Sequence, residues 1–173
     1  MFRYINAIVI DKHTLFDNTQ TIKVFSWEEG RLSVIFKPEK RSIPITAPGL
    51  YYLEILPKST GIATCKSVEL LEGFFHTHHL KLHGLCLPVF DYFPPQEPSP
   101  FVFGRYLSAL RRSTNEESAR TNALWFLASV LWEEGFLEPN STLEDFIRRR
   151  HSDNLKAIWK TIKRRLRALE GKG

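Results

Sequence analysis

The chain has 173 residues, of which 43% are hydrophobic and 25% charged, a composition typical of a globular protein rather than a disordered one. This length accommodates one ordinary domain or two small ones, and no apolar run reaches the roughly 18–20 residues that span a bilayer. The start of the chain also lacks a basic stretch followed by an apolar one. We therefore expect a soluble cytoplasmic protein.

The formal net charge of +5 is concentrated near the C-terminal end. Residues 148–173 carry ten basic and two acidic side chains, a balance of +8 against −3 for the other 147 residues. A basic segment on a near-neutral body indicates a polyanionic partner, with nucleic acid the first candidate. The alternative is a helix whose charged face is only solvated.

Five strand-like segments occupy the first 72 residues, and short turns separate them. The clearest is a hairpin in which apolar residues alternate with polar ones on either side of the turn Glu28-Glu29-Gly30. A proline-containing loop over residues 38–48 follows it. Such closely spaced strands predict a small closed or partly closed barrel. The predicted strands are residues 5–10, 21–27, 32–36, 49–56 and 62–72.

The hairpin interleaves aromatic rings with cations, which is the pattern of a surface for single-stranded nucleic acid. Bases stack on exposed rings, and cations follow the phosphates. We predict that Trp27 or Phe36 stacks on a base if its ring is exposed. The alternative is that these rings are core side chains, because buried aromatic residues dominate core energetics.

From Gly73 onward the apolar period changes from 2 to 3.6, which indicates helices. A stiff, extended spacer is predicted at residues 94–100, where four of seven residues are proline. A capping box at Thr114-Asn115-Glu116-Glu117 and a stop at Gly135 bound a central apolar helix. Further helices are predicted at 74–90, 101–112 and 142–149, with a last helix capped by Ser152 or Asp153.

The last predicted helix has two distinct faces. Its apolar residues fall on one continuous stripe, and its cations lie off that stripe, so the helix can pack on a bundle and still present charge to phosphates. The stripe is Leu155, Ile158, Trp159, Ile162, Leu166 and Leu169. The predicted fold class is α+β, with a small five-stranded barrel at 1–72 and a helical domain at 73–173.

Four potential metal ligands fall on one face of the first predicted helix: His76, His79, His83 and Cys86. Imidazole and thiolate are good zinc ligands, but four on one helix do not easily converge into a tetrahedron. Glycine loops for nucleotides and catalytic signatures are missing from the sequence. We therefore predict no enzymatic activity, no metal and no cofactor, and expect reduced thiols at the only cysteines, Cys65 and Cys86.

Several stretches resemble the RecO family of bacterial recombination mediators. They are the first strand at 7–10, the strand and acidic-Gly-basic turn at 23–31, the basic loop at 37–41, and the helix at 123–139 that ends in a Leu-x-x-x-Gly-aromatic turn. The resemblance implies that the barrel at 1–72 is of the oligonucleotide-binding (OB) type, and it implies binding of single- and double-stranded DNA, annealing, and help in loading RecA. It also implies contacts with RecR and the single-strand-binding protein. The chain is short and lacks the cysteine cluster of many members, so a zinc role is not carried over.

We predict a non-enzymatic DNA-binding protein of recombination or repair. Two alternatives stay open: a protein-interaction module without DNA binding, and a metalloenzyme centred on His76, His79 and His83. The predicted nucleic-acid-binding residues are Lys12, Lys23, Trp27, Arg31, Phe36, Lys37, Lys40 and Arg41 in the first half, and Arg148, Arg149, Arg150, Lys160, Lys163, Arg164 and Arg167 in the second.

Overall fold

The computed structural model describes residues 1–39, 42, 44–59 and 61–171. Its first part is a closed five-stranded barrel in the order β1-β2-β3-β5-β4, with β4 pairing back onto β1. All pairs are antiparallel except β3 with β5. This OB-like barrel followed by helices confirms the predicted α+β fold class. The strands are β1 Arg3–Thr14, β2 Gln20–Ser26, β3 Gly30–Phe36, β4 Gly49–Leu56 and β5 Ile62–Gly73.

The barrel interior is built by the period-2 pattern of the hairpin. Val24 lies opposite Leu32, and Ile22 lies opposite Val34, with all four side chains buried. Because successive side chains on a strand point to opposite faces, the residues between them point out of the barrel. Phe36 also lies inside, at 6% exposure, so its ring is a core side chain, as in the alternative interpretation, and is not available for the base stacking predicted for an exposed ring.

The turn between β2 and β3 is stabilised by side chains of its own. The Ser26 hydroxyl accepts hydrogen bonds from the backbone N–H groups of Glu28 and Glu29, at 3.1 and 2.8 Å. The Glu28 carboxylate accepts from the backbone and the side-chain amide of Asn6 on β1. Gly30 has a φ of +70°, which glycine adopts at little cost.

The predicted proline spacer packs along the edge of β3. Pro95 forms a parallel bridge with Arg31, and the N–H of Gln96 donates to the Arg31 carbonyl at 2.9 Å. A Cβ at Gly30 would lie 2.0 Å from the carbonyl oxygen of Glu97. Glycine is therefore required at this position both by the backbone conformation and by the closeness of the spacer.

Five α-helices follow the barrel within the described residues. The predicted helix at 74–90 is divided, because the chain changes to a 3-10 helix at Leu87–Tyr92, where Pro88 supplies no backbone N–H. Asn115 caps α3 in a capping box whose second member is Ser118 rather than an acidic residue. The helices are α1 Thr77–Cys86, α2 Pro100–Arg112, α3 Glu116–Glu133, α4 Ser141–Arg149 and α5 Leu155–Glu170.

The last helix confirms the predicted stripe. Ile158, Ile162 and Leu166 are buried, while the other stripe residues pack against the same core as partly buried side chains. Its N-cap is Asn154, and Ser152 instead accepts a hydrogen bond from the Asn154 N–H at 3.0 Å. The predicted cap at Ser152 or Asp153 is thus displaced by one or two residues. None of the described helices combines the length and the apolarity needed to cross a membrane.

The outer surface of the barrel contributes to the helical core. Ile8, Ile10, Phe25 and Leu50 point outward from their strands and belong to the same buried cluster as α2, α3 and α5. The Phe25 ring lies 5.4 Å from that of Phe90 in the 3-10 helix. The two parts thus share this buried cluster, which is separate from the interior of the barrel, and the division into two domains at residue 72 stays a prediction.

Candidate nucleic-acid interface

One outer face of the barrel is left uncovered by the helices, and we call it the open barrel face. On it Lys23 pairs with Asp11 on one side and Ser33 on the other, while Thr21 pairs with His13 and Ile35. These side chains are exposed or half-buried. OB folds bind oligonucleotides on the face of strands 2 and 3 and on the loops that join strands 1–2 and 4–5. The open barrel face is therefore the first place to look for a nucleic-acid site. Its residues are Asp11, His13, Thr21, Lys23, Ser33, Ile35 and Thr64.

Three of the predicted lysines, Lys12, Lys23 and Lys37, lie on or beside this face, and each of the three has a partner. The Nζ atom of Lys37 lies 3.2 Å from the carboxylate of Asp17, and that of Lys23 lies 4.0 Å from Asp11. Lys12 donates to the carbonyl oxygen of Ile45 at 2.8 Å. Ion pairs at such exposed positions contribute little stability, typically about 0–1 kcal/mol. A phosphate can therefore replace a carboxylate as the partner at low energetic cost.

The loop between β1 and β2 presents an aromatic ring that sequence reasoning missed. Phe16 is 97% exposed, in a 3-10 turn where Asp17 and Asn18 both have positive φ. Hydrogen bonds from Thr19 and Lys37 lower the pKa of Asp17, so its carboxylate stays ionised and holds the loop to Lys37. The signal in the sequence was an apolar Leu15-Phe16 pair inside an otherwise polar loop.

Arg31 and Trp27 lie away from the open barrel face. Arg31 is half-buried, and its guanidinium binds the carboxylate of Asp91 in the 3-10 helix at 3.1 Å. Trp27 is 49% exposed, but its ring meets that of Phe103 edge to face at 5.8 Å. Both residues are at the turn end of the hairpin, whereas Lys37 follows its other end. The contacts of Arg31 give it a structural role in attaching the barrel to the helices.

The predicted C-terminal cations fall into three groups. Four on α5 are exposed and have no carboxylate within ion-pair distance among the described residues, namely Lys160, Lys163, Arg164 and Arg167. Arg148 and Arg149 both bind Asp145, at 3.1 and 2.8 Å. Arg150 turns toward the core and packs on the ring of Trp125. Of the three groups, the first is the free cationic surface.

The 3-10 helix connects α5 to the barrel. Its Asp91 binds Arg31, and the neighbouring Tyr92 hydroxyl donates to the carbonyl oxygen of Leu166 at 3.3 Å. The C-terminal half of α5 therefore lies close to the Arg31 edge of β3. Lys40 and Arg41, which complete the predicted set, lie outside the described residues.

The histidines of the first helix have structural contacts. The two ring nitrogens of His83 bond to the Tyr106 hydroxyl and to the carbonyl oxygen of Ile10, the latter at 2.7 Å. Burial lowers the pKa of both His83 and His79, and it raises that of the Cys86 thiol. Within the described ranges, no three His, Cys, Asp or Glu side chains are arranged to hold a metal ion. His83 is thus occupied in joining α1, α2 and β1. Cys65 and Cys86 are free thiols, as expected.

Comparison of the chain with protein-family models and with curated proteins found no match.

Proposed function

We propose that the protein is a non-enzymatic DNA-binding accessory of recombination or repair, related to the RecO family and acting in the cytoplasm. An OB-like barrel with an uncovered β2–β3 face supports this proposal, as does the free cationic surface of α5. By the RecO resemblance, the partners would be RecR, RecA and the single-strand-binding protein. Single-stranded DNA is the preferred ligand, because the exposed ring suits an unpaired base.

The observation that carries the proposal is the position of Phe16 beside Lys37. Asp17 follows Phe16 directly and binds Lys37, so ring and cation lie at the same end of the hairpin. A base would stack on Phe16 while the adjoining phosphates replace Asp17 and Asp11 as partners of Lys37 and Lys23. Stacking of one base on an aromatic side chain contributes about 1–3 kcal/mol.

The test is a fluorescence-anisotropy titration of a labelled oligothymidylate with wild type and Phe16→Ala at several salt concentrations. We expect wild-type binding that weakens steeply with salt, because counterions are released from the strand. The substitution should lower the affinity roughly 5- to 100-fold, the equivalent of one base that no longer stacks. The matched control is Phe75→Ala, which removes a ring that is 57% exposed beyond the end of β5.

Equal decreases in affinity in the two variants would show that Phe16 is not part of the site. Absence of wild-type binding at low salt would overturn the DNA-binding proposal as a whole.

A second candidate function, protein recognition without DNA, is favoured by another barrel surface. The rings of Tyr4 and Tyr52 stack at 5.6 Å and are 56% and 37% exposed. The carboxylate of Glu54 accepts a hydrogen bond from the Tyr4 hydroxyl on the same face. An aromatic surface with carboxylates suits a protein partner better than a phosphate backbone. This function predicts no salt-sensitive binding of the oligonucleotide in the same titration.

A further inference from the structure

Three arginines converge beside α2, outside the open barrel face. Arg105, Ser108 and Arg112 are spaced at i, i+3 and i+7, so they lie along one face of that helix. Arg150 reaches the same face from the end of α4, where its backbone is left-handed with a φ of 57°. Its Nη2 atom donates to the Ser108 hydroxyl at 2.9 Å. Elements distant in sequence thus bring the three guanidinium groups together.

The buried indole of Trp125 fixes two of these groups. The Cζ atom of Arg150 lies 3.3 Å from the ring centroid, and that of Arg105 lies 4.8 Å from it. The indole is itself anchored, since its N–H donates to the carbonyl oxygen of Ile147 at 2.8 Å. Stacking on a fixed ring holds the guanidinium groups in defined positions without neutralising their charge.

The three arginines differ from their neighbours in lacking an acidic partner. Nearby Arg111 binds Glu72 at 2.7 Å, and both Arg148 and Arg149 bind Asp145. In the described part of the chain no carboxylate lies within 4.0 Å of Arg105, Arg112 or Arg150.

Two further observations show that the guanidinium group of Arg150 has neither a full set of hydrogen-bond acceptors nor a compensating negative charge. Its Nη1 atom is buried with no hydrogen-bond partner among the described residues. Burial, together with the charges of Arg112 and Arg105, lowers the pKa of its guanidinium to about 10. A buried donor without an acceptor costs free energy. Mutual repulsion between the three cations also costs free energy unless a bound anion offsets it.

We propose that Arg105, Arg112 and Arg150 form a binding site for a phosphate group, which we call the arginine site. Guanidinium groups present several N–H donors in a planar fork that matches phosphate oxygens. Arg112 is exposed and the other two are half-buried, so the site opens to solvent. The phosphate comes either from a small molecule or from a nucleic-acid strand. The proposal does not depend on the barrel site, because none of its residues lies on the barrel.

The test measures thermal unfolding of the full chain in inorganic phosphate and in chloride at equal ionic strength and pH. Binding to the native state should raise the wild-type Tm by roughly 2–4 °C beyond the general effect of phosphate on stability. Arg112→Gln should lose this increment, and because Arg112 is exposed the variant should fold. The control is Arg148→Gln, which removes an exposed arginine already paired with Asp145 and should keep the increment. Calorimetric titration of phosphate into the same three proteins measures binding directly.

A titration of the labelled oligonucleotide with the same variants identifies the source of the phosphate. If Arg112→Gln also weakens binding of the labelled oligonucleotide several-fold more than Arg148→Gln does, the site takes a strand phosphate. If the phosphate increment is lost while oligonucleotide affinity is unchanged, the site takes a small phosphorylated molecule. An equal response to inorganic phosphate in wild type and both variants, by Tm and by calorimetry, would overturn the arginine site. This result is independent of Phe16→Ala, whose failure concerns only the proposed function.

Discussion

The cations of the barrel and those of α5 differ in their partners. Lys23, Lys37 and Arg31 each lie within 4.0 Å of a carboxylate, whereas Lys160, Arg164 and their exposed neighbours on α5 have none among the described residues. The barrel surface is thus close to electrically neutral, while the helix carries a net positive charge. Charge alone would place a polyanion on the helix, and shape alone would place it on the barrel.

This difference suggests that the two surfaces contribute differently to the binding of a nucleic acid. Unpaired cations release counterions when they meet a phosphate backbone, which provides affinity without regard to base sequence. An exposed ring such as Phe16 provides contact with a base and therefore selects single strands. The contacts of the 3-10 helix with Arg31 and Leu166 bring the C-terminal half of α5 close to the turn end of the hairpin, whereas Phe16 and Lys37 lie at the other end.

The largest expected effect comes from breaking the joint between the two regions. Phe25→Ala removes a fully buried ring that packs on Phe90 and Phe93, and we expect it to lower the free energy of unfolding by about 3–5 kcal/mol. Chemical denaturation followed by tryptophan fluorescence measures the change. The control is Ile35→Ala on the open barrel face, where the side chain is only half-buried and the destabilisation should be about 1 kcal/mol or less. A destabilisation at Phe25 no larger than at Ile35 would mean that the two regions are not coupled through this pair of rings.

A smaller effect is expected from removing the charge of α5 alone. The quadruple variant Lys160→Gln/Lys163→Gln/Arg164→Gln/Arg167→Gln should lower oligonucleotide affinity about 10- to 100-fold at low salt. It should also reduce the slope of log K against log salt by about 0.7 for each phosphate that the helix no longer neutralises. Anisotropy titrations over a range of salt concentrations measure both quantities.

The matched control for the quadruple variant makes the same change in net charge at cations that have carboxylate partners. These are Arg3, Lys66, Arg148 and Arg149, each replaced by Gln. If both sets reduce the slope equally, the contrast between paired and unpaired cations has no bearing on binding.

The smallest effect concerns pH. Burial lowers the pKa of His83 in the folded chain. Below the ordinary histidine pKa of about 6.5, the unfolded chain therefore binds a proton at this residue, whereas the folded chain does not. Stability should therefore decrease as pH falls below about 6.5, and His83→Gln should flatten this decrease relative to wild type. Tm values measured between pH 5 and 8 test the prediction. Leu82→Ala destabilises the same helix without removing a titrating group, so its Tm should depend on pH as steeply as that of wild type. If the Tm of His83→Gln also depends on pH as steeply as that of wild type, the prediction is wrong.

The local alternation of apolar and polar residues, together with the turn residues, was sufficient to predict most strands of the barrel. Strand β4 begins and ends at the predicted residues 49 and 56, because turn residues bound its apolar run on both sides. Strand β1 is longer than predicted at both ends, since Arg3, Tyr4 and His13 are polar or exposed and interrupt the apolar run while their backbones still pair. Backbone pairing with a neighbour therefore extends a strand beyond what its own side chains indicate.

The candidate site was harder to predict, because the role of a cation depends on partners distant in sequence. Arg31 binds an aspartate 60 residues away, and Arg150 stacks on an indole in another helix. No local spacing distinguishes these arginines from Arg164, which is exposed on α5. For Phe36 the sequence left a stacking ring and a core side chain both open, and the structure, in keeping with the alternation of β3, places it inside the barrel.

The packing of the proline segment on β3 also bears on self-association. β3 pairs with β5 only from Ser33 to Phe36. Without a cover, the first residues of β3 would present unpaired N–H and C=O groups with which a strand of another molecule can pair. Pro95 and Gln96 occupy that position, and a proline cannot donate a further hydrogen bond to extend the sheet. The segment that joins the 3-10 helix to α2 thus also covers an exposed sheet edge. A barrel cut free after residue 73 would lose this cover and could pair edge to edge with its own copies.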